Sequence, residues 1–281
     1  MANRIIVGSL APQNWHRQAR RLPPERRFDL VYDKTVAIAR RFGFSPMGID
    51  FGLAGLPSSD QSYLAGLRAR MHADGLVPAV GFGSMRLSND AEIRAESIAE
   101  LQRNMEKVAQ LGANVGFFGA QFFGRVKHEG RIHFCVEMLR AIAPRAAELG
   151  LRITQENYDY FTSADLIRIC RAVGQPHVGV HSDTGNWLIL GEDPVAATEA
   201  VLPHTLHAHV RDYVDENETY NGVAVGDGLI DFERVLPLLA RAPVEELIFS
   251  MEVDTDDRDE DEAAERSYDY LAAWLSKNGY R

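Results

Sequence analysis

Cysteine is nearly absent: Cys135 and Cys170 are the two in a chain of 281 residues. Both sit among apolar neighbours in helix-like stretches. A disulfide framework is therefore not expected, and reduced, buried thiols are. No stretch approaches the ~18 unbroken apolar residues of a membrane span. The opening MANRIIVGSLAP lacks the basic segment and sustained apolar segment of a secretory leader. The cytoplasm is the expected compartment, with no membrane partner. Positive charge is also short. Thirty Lys and Arg against forty Asp and Glu leave a net charge of −10, which argues against nucleic acid as a partner, because a phosphate backbone needs a basic footprint.

Two local runs depart from the average. HRQARRLPPERR carries Arg17, Arg20, Arg21, Arg26 and Arg27. It reads either as a solvated loop and helix start, or as a lid or subunit contact that meets an anionic group. The opposite run, DTDDRDEDEAAE, reads as the solvated start of the last helix, where acidic residues suit the positive end of the helix dipole.

What the chain has in quantity is alternation. Short apolar runs rich in β-branched and aromatic residues occur at 4–10, 47–52, 76–83, 114–120, 151–157, 177–183, 205–212 and 247–253. Such runs suit strands covered on both faces. Amphipathic helical stretches separate them, several stopping at a glycine (Gly43, Gly75, Gly112, Gly150) that accepts the left-handed conformation past a helix end. Pro144 should kink the helix that ends at Gly150. Eight strand-then-helix units, with no linker between them, predict a parallel α/β fold: a single-domain (β/α)₈ TIM barrel over 1–281. In such barrels the chemistry sits at the carboxyl ends of the strands.

Four predicted strand ends carry a hard metal-binding side chain. They are LRITQEN with Glu156, VGVHSDTGN with Asp183, TLHAHVRD with His209 and LIFSMEVD with Glu252. Each has an ordinary explanation when taken alone: a surface acid, an Asx turn, a core histidine, a partnered charge. On one barrel rim, however, they would converge. Three carboxylates and an imidazole form a hard donor set that suits Mn²⁺ first, with Mg²⁺, Co²⁺ or Zn²⁺ as alternatives.

The pattern TQEN … HSDTGN … HAHVRD … GDGLIDF … SMEVD resembles the xylose-isomerase-like TIM barrels, the sugar phosphate isomerase/epimerase group. The resemblance implies that Glu156, Asp183, His209 and Glu252 bind one divalent metal ion, and that Glu156 and Glu252 are the catalytic acid/base pair. Three positions differ from the usual spelling. Tyr158 follows Glu-Asn where many relatives have histidine. Arg211 stands where lysine is common and is expected to hold a substrate hydroxyl or carboxylate. Asn186 stands where the ketohexose epimerases carry a substrate-binding histidine. His181, Asn157 and Gln121 complete the expected substrate-binding set. Asp50, after the second strand, is expected either to line the pocket or to pack. GDGLID is expected to shape the turn into the next helix, with Asp231 as its cap.

The function implied is a metal-dependent isomerase or epimerase of a small sugar, keto-sugar or polyol. The alternative is a lyase on the same site, resembling the dehydratases of inososes or dehydroshikimate or the enzymes that cleave oxidised glycosides. A three-zinc nuclease is disfavoured by the charge and by the placement of most of the nine histidines in loops and helices. Barrels of this group lead us to expect a homo-oligomer, dimer or tetramer.

Overall fold

The alternating strand and helix signals resolve into a closed (β/α)₈ barrel. The computed structural model describes residues 4–158, 160–217, 219–255 and 259–280. In chain order the strands are β1 (Arg4–Leu10), β2 (Met47–Gly52), β3 (Leu76–Ser88), β4 (Val115–Phe123), β5 (Arg152–Glu156), β6 (Val178–Asp183), β7 (Thr205–Val210), β8 (Asp212–Asp215), β9 (Tyr220–Val223) and β10 (Glu246–Met251). Eight of them form the barrel in the order β1-β10-β7-β6-β5-β4-β3-β2, closed by parallel pairing of β1 with β2. The other two, β8 and β9, make an antiparallel hairpin after β7 that periodicity did not predict.

The helices are α1 (Gln13–Ala19), α2 (Pro24–Phe42), α3 (Gln61–Ala73), α4 (Ala91–Gln110), α5 (His128–Glu148), α6 (Ser163–Val173), α7 (Thr184–Ile189), α8 (Pro194–Val201), α9 (Phe232–Leu239) and α10 (Glu260–Lys277). Their ends have local causes. Proline opens α2, and Gly43 closes it in the left-handed conformation. Thr162 and Asp165 cap α6 reciprocally. α5 carries Pro144 within its length and continues to Glu148, before Gly150. Among the described residues no helix is long and apolar enough to cross a membrane. Cys135 and Cys170 are free and buried, and burial pushes the Cys170 thiol up to about 12.

Side chains alternate across each strand, so every second residue enters the barrel. Ile6, Ala79, Val115 and Ile248 pack together with Val77 and Phe117 against them. Burying each of the larger aliphatic side chains, Ile6, Val115 and Ile248, contributes about 1.5–3 kcal/mol. Toward the carboxyl ends the inward positions turn polar. One inward layer holds Asp50, His181, His207 and Ser250. Two residues beyond His181, His207 and Ser250 come Asp183, His209 and Glu252, the last just past β10, about 6–7 Å higher by strand rise, and Glu156 joins them from the end of β5.

The acidic start of α10 is not simply solvated. Residues 256–258 of that run lie outside the described residues. Glu260 is buried and accepts hydrogen bonds from the Asn14 backbone N–H at 2.5 Å and from Arg17 Nη2 at 2.7 Å. Trp15 Nε1 donates to Asp261 at 2.5 Å. These contacts tie α1 down over the barrel rim.

Candidate metal centre

Glu156, Asp183, His209 and Glu252 each offer a ligand atom, and the four atoms all lie within 4.8 Å of one another. The backbone explains their order. Asp183 caps α7: its Oδ1 accepts from the N–H groups of Gly185 at 2.8 Å and Asn186 at 2.9 Å, while its Oδ2 is buried with no hydrogen-bond partner. One oxygen therefore holds the turn and the other faces the cluster. Gly185 must be small, because a Cβ there would come within 2.4 Å of the Tyr213 ring and 3.0 Å of Arg211 Cδ.

His209 is oriented from behind. Asp50 Oδ2 accepts from His209 Nε2 at 3.1 Å and from His207 Nε2 at 2.8 Å, and Oδ1 accepts from Ser250 Oγ at 2.5 Å. Burial pushes the Asp50 carboxyl up, but the two histidines outweigh it and hold it well below the usual range. An ionised Asp50 makes Nε2 of His209 the donor. In the neutral ring Nδ1 then carries the lone pair that faces the carboxylates, the tautomer a metal ion requires. That Nδ1 lies 2.9 Å from Glu252 Oε2, 3.9 Å from Asp183 Oδ2 and 4.0 Å from Glu156 Oε1. Although His209 Nδ1 and Glu252 Oε2 are close, neither has an aligned hydrogen-bond partner. Three of the four residues thus present a buried polar atom with nothing to bond, all around one point. A cation would satisfy all three, so the donors fit a hard divalent ion.

Arg211 supplies fixed positive charge beside the cluster. It is buried. Its Nη1 donates to the Tyr213 hydroxyl at 2.6 Å, Nη2 pairs with Glu252, and Nε lies 3.5 Å from Asp183 Oδ2. Thr184 fixes its backbone, with Oγ1 accepting from the Arg211 N–H at 2.9 Å and donating to its carbonyl at 2.7 Å.

The expected substrate-binding residues separate in space. Asn186 Nδ2 donates to Glu156 Oε1 at 3.3 Å, and its buried Oδ1 has no partner. Asn157 is bonded to the Asp183 backbone: it donates to the Asp183 carbonyl at 3.0 Å and accepts from the Asp183 N–H at 2.7 Å. It therefore fixes the Asp183 backbone. His181 lies one layer down with neither ring nitrogen hydrogen-bonded, and its ring meets that of His209 edge-to-face at 3.9 Å. Burial, and then the nearby His209, His207 and Arg211 charges, lower its pKa well below the ordinary value, so it stays neutral. Gln121 is exposed near the end of β4, in register with Arg86 and without a hydrogen bond to the cluster among the described residues. Asp231 stands at the N-cap of α9 but makes no side-chain cap bond. The turn is held instead by Asp212, whose carboxylate accepts from the N–H groups of Tyr213, Gly226, Gly228 and Ile230 at 2.8–3.2 Å. Neither this role of Asp212 nor the bond from Asp50 to His209 was readable in advance. The one available signal was an aspartate at an inward position of an apolar strand.

Electrostatics predict proton displacement on metal uptake. Burial raises the Glu156 pKa, and Asp183 adds to it against His209 and Arg211. His209 is also raised, because Asp50, Glu156 and Asp183 outweigh its burial. A proton bound among these groups must leave before a cation binds. Metal affinity should therefore rise with pH through those raised values, by about tenfold per pH unit for each proton displaced. Manganese titrations at pH 6 and pH 8 check this, and equal affinities would contradict it.

A closed parallel barrel with a carboxylate-rich cluster of metal-ligand type on its carboxyl rim defines the class. The family follows from the sequence: a model of the xylose isomerase-like TIM barrel matches residues 36–276, and the chain belongs to that family. The chain is similar to 3-oxo-isoapionate decarboxylase of Pectobacterium atrosepticum, with 20% identity over 182 residues, 54% of this chain and 66% of that protein. The match thus spans just under two thirds of the curated relative. Among solved structures it superposes on the IolI protein with a zinc atom, with a TM-score of 0.73, 16% identity and coverage of 97% of this chain and 98% of that one. It also superposes on the D-psicose 3-epimerase of Clostridium cellulolyticum H10 with D-tagatose, with a TM-score of 0.72, 17% identity and coverage of 97% and 98%. At these identities the likeness establishes the fold.

Proposed function

We propose that this protein is a divalent-metal-dependent isomerase or epimerase of small keto-sugars or polyols, with Mn²⁺ as the ion and Glu156 and Glu252 as the proton-transfer pair. One observation carries the reading: unpartnered buried atoms of Asp183, His209 and Glu252 surround one point, and Glu156 completes the set. A divalent ion bound there polarises adjacent substrate oxygens and stabilises negative charge on them. The side chains do the rest. Glu252, one oxygen against Arg211, starts as the carboxylate and takes the proton from the carbon beside the carbonyl. Glu156, whose carboxyl burial pushes up, returns a proton. β5 and β10 are separated by β6 and β7 on the rim, so the two glutamates approach a substrate from different sides. Asn186 holds Glu156 in place and offers its free Oδ1 to a hydroxyl. Arg211 stabilises an oxygen that gains charge.

Solvent exchange tests the proposal. With Mn²⁺ present, a panel of ketoses, aldoses and cyclic polyols in D₂O should yield a substrate that gains deuterium beside its carbonyl as it interconverts. Absence of exchange across the panel rejects the reading. A lyase reading of the same site has one feature in its favour. Arg211 puts a full positive charge in the ligand layer, where a carboxylate or a departing group would develop charge. A product enone absorbing in the ultraviolet, or release of carbon dioxide, would distinguish it.

A further inference from the structure

We propose that a cavity beside the metal centre, walled by α1, α2 and the loops after β1 and β2, is an anion subsite that takes the charged end of the substrate, a phosphate or a carboxylate. The inference rests on the sugar-chemistry reading for what occupies the other end of the ligand. The cavity measures about 540 Å³, and its lining includes Gln13, His16, Arg20, Arg27, Phe28 and Asp50. That volume suits a small molecule. Its place matters more. It opens at the carboxyl ends of β1 and β2, and β1 neighbours β10, the strand that precedes Glu252. Asp50 belongs both to its lining and to the bond that orients His209. The cavity and the ligand cluster therefore share the carboxyl rim, on the two sides of the Asp50–His209 pair, and we place one ligand across both.

The net charge is −10. Arg20 and Arg27 are exposed, like Arg21 and other arginines without an ion pair among the described residues; what sets these two apart is that they line one cavity. Within the basic run the arginines divide. Arg17 pairs with Glu260 at 2.7 Å, and Arg26 pairs with Asp29 at 3.2 Å. Arg20 and Arg27, the two that line the cavity, have no carboxylate within ion-pair distance among the described residues. Arg27 Nε donates to the Leu22 carbonyl at 3.2 Å, which steadies the side chain while leaving its terminal nitrogens free. The one carboxylate in the lining, Asp50, is already committed to His207, His209 and Ser250. Two guanidiniums without a counter-charge therefore face a cavity next to a metal centre. Guanidinium forks match phosphate and carboxylate geometry. The wall that carries Arg20 is fixed, because Trp15, Asn14 and Arg17 anchor α1 to the start of α10.

The test is calorimetric binding to the Mn²⁺-loaded full chain, with D-fructose, D-fructose 6-phosphate and 5-keto-D-gluconate as probes. In the wild type, one anionic probe should bind about tenfold or more tighter than D-fructose. Which of the two holds that margin tells phosphate from carboxylate. The Arg20→Gln/Arg27→Gln double variant should lose the margin while binding Mn²⁺ and D-fructose as the wild type does. Both side chains are exposed, so the fold should persist. The Arg20→Lys/Arg27→Lys variant, which keeps the charge, should recover part of the margin. No margin in the wild type, or a margin that survives in the glutamine variant, overturns the subsite. Anion binding without exchange or turnover of any sugar would leave the subsite standing and count against the isomerase reading. Turnover of neutral sugars with no margin would do the reverse.

Discussion

Replacing Glu252 with glutamine leaves a folded barrel that has lost its turnover. The substitution is nearly isosteric, and Glu252 sits at the rim, not in the apolar core, so stability should change little. What is lost is specific. The amide cannot take a proton from carbon, it is a poorer metal ligand, and it no longer balances Arg211, with which the carboxylate pairs. At saturating Mn²⁺ the ligand defect is masked and the proton-transfer defect remains. Turnover should then fall by about 10²–10⁴-fold, the usual contribution of a positioned general base. Solvent-deuterium incorporation should fall in parallel. Turnover that stays at the wild-type level under those conditions removes Glu252 from the mechanism.

The second large effect is expected away from the ligand set. Asp50→Ala should destabilise the fold by about 3–5 kcal/mol, because it removes a fully buried charge and leaves His207, His209 and Ser250 without their shared acceptor. Asp50→Asn keeps one acceptor oxygen and should cost less stability. It should still weaken manganese binding by about 10–100-fold, the usual cost of losing the partner that orients a ligating histidine. Urea unfolding and metal titration read the two effects separately. The pH dependence has a definite sign. The folded-state pKa of Asp50 is depressed. Its stabilisation is therefore complete above the ordinary aspartate range and is lost progressively as pH falls from that range through the lowered value. An Asp50→Ala variant that unfolds at the wild-type urea midpoint and binds manganese equally well would show that the network does not hold the site.

The strands, most helix boundaries and the barrel were legible because their causes are local. Apolar runs of strand length and glycines past helix ends act over a few residues. The four strand-end side chains were legible for a related reason. A strand end is a local feature, and the family's spelling marks which ends matter. Other features were hidden. The hairpin of β8 and β9 has no alternating pattern to announce it. Asp212 looked like the last letter of a motif, yet it accepts from four backbone N–H groups spread from Tyr213 to Ile230. Asn157 looked like a substrate contact, yet its amide is paired with the Asp183 backbone. The acidic start of α10 looked solvated, yet Glu260 is buried under α1.

By itself, then, the sequence determined the repeating strand-and-helix units and which side chains stand at their ends, because periodicity and capping are short-range. Only the tertiary structure decided which atoms meet. It set Asp50 behind His209, 159 positions away, and it sent Arg17 to Glu260 while turning Arg20 and Arg27 to a cavity. Pairings of that kind depend on closure of the barrel. Closure brings the first two strands beside the last, and no local pattern records which side chains then face each other.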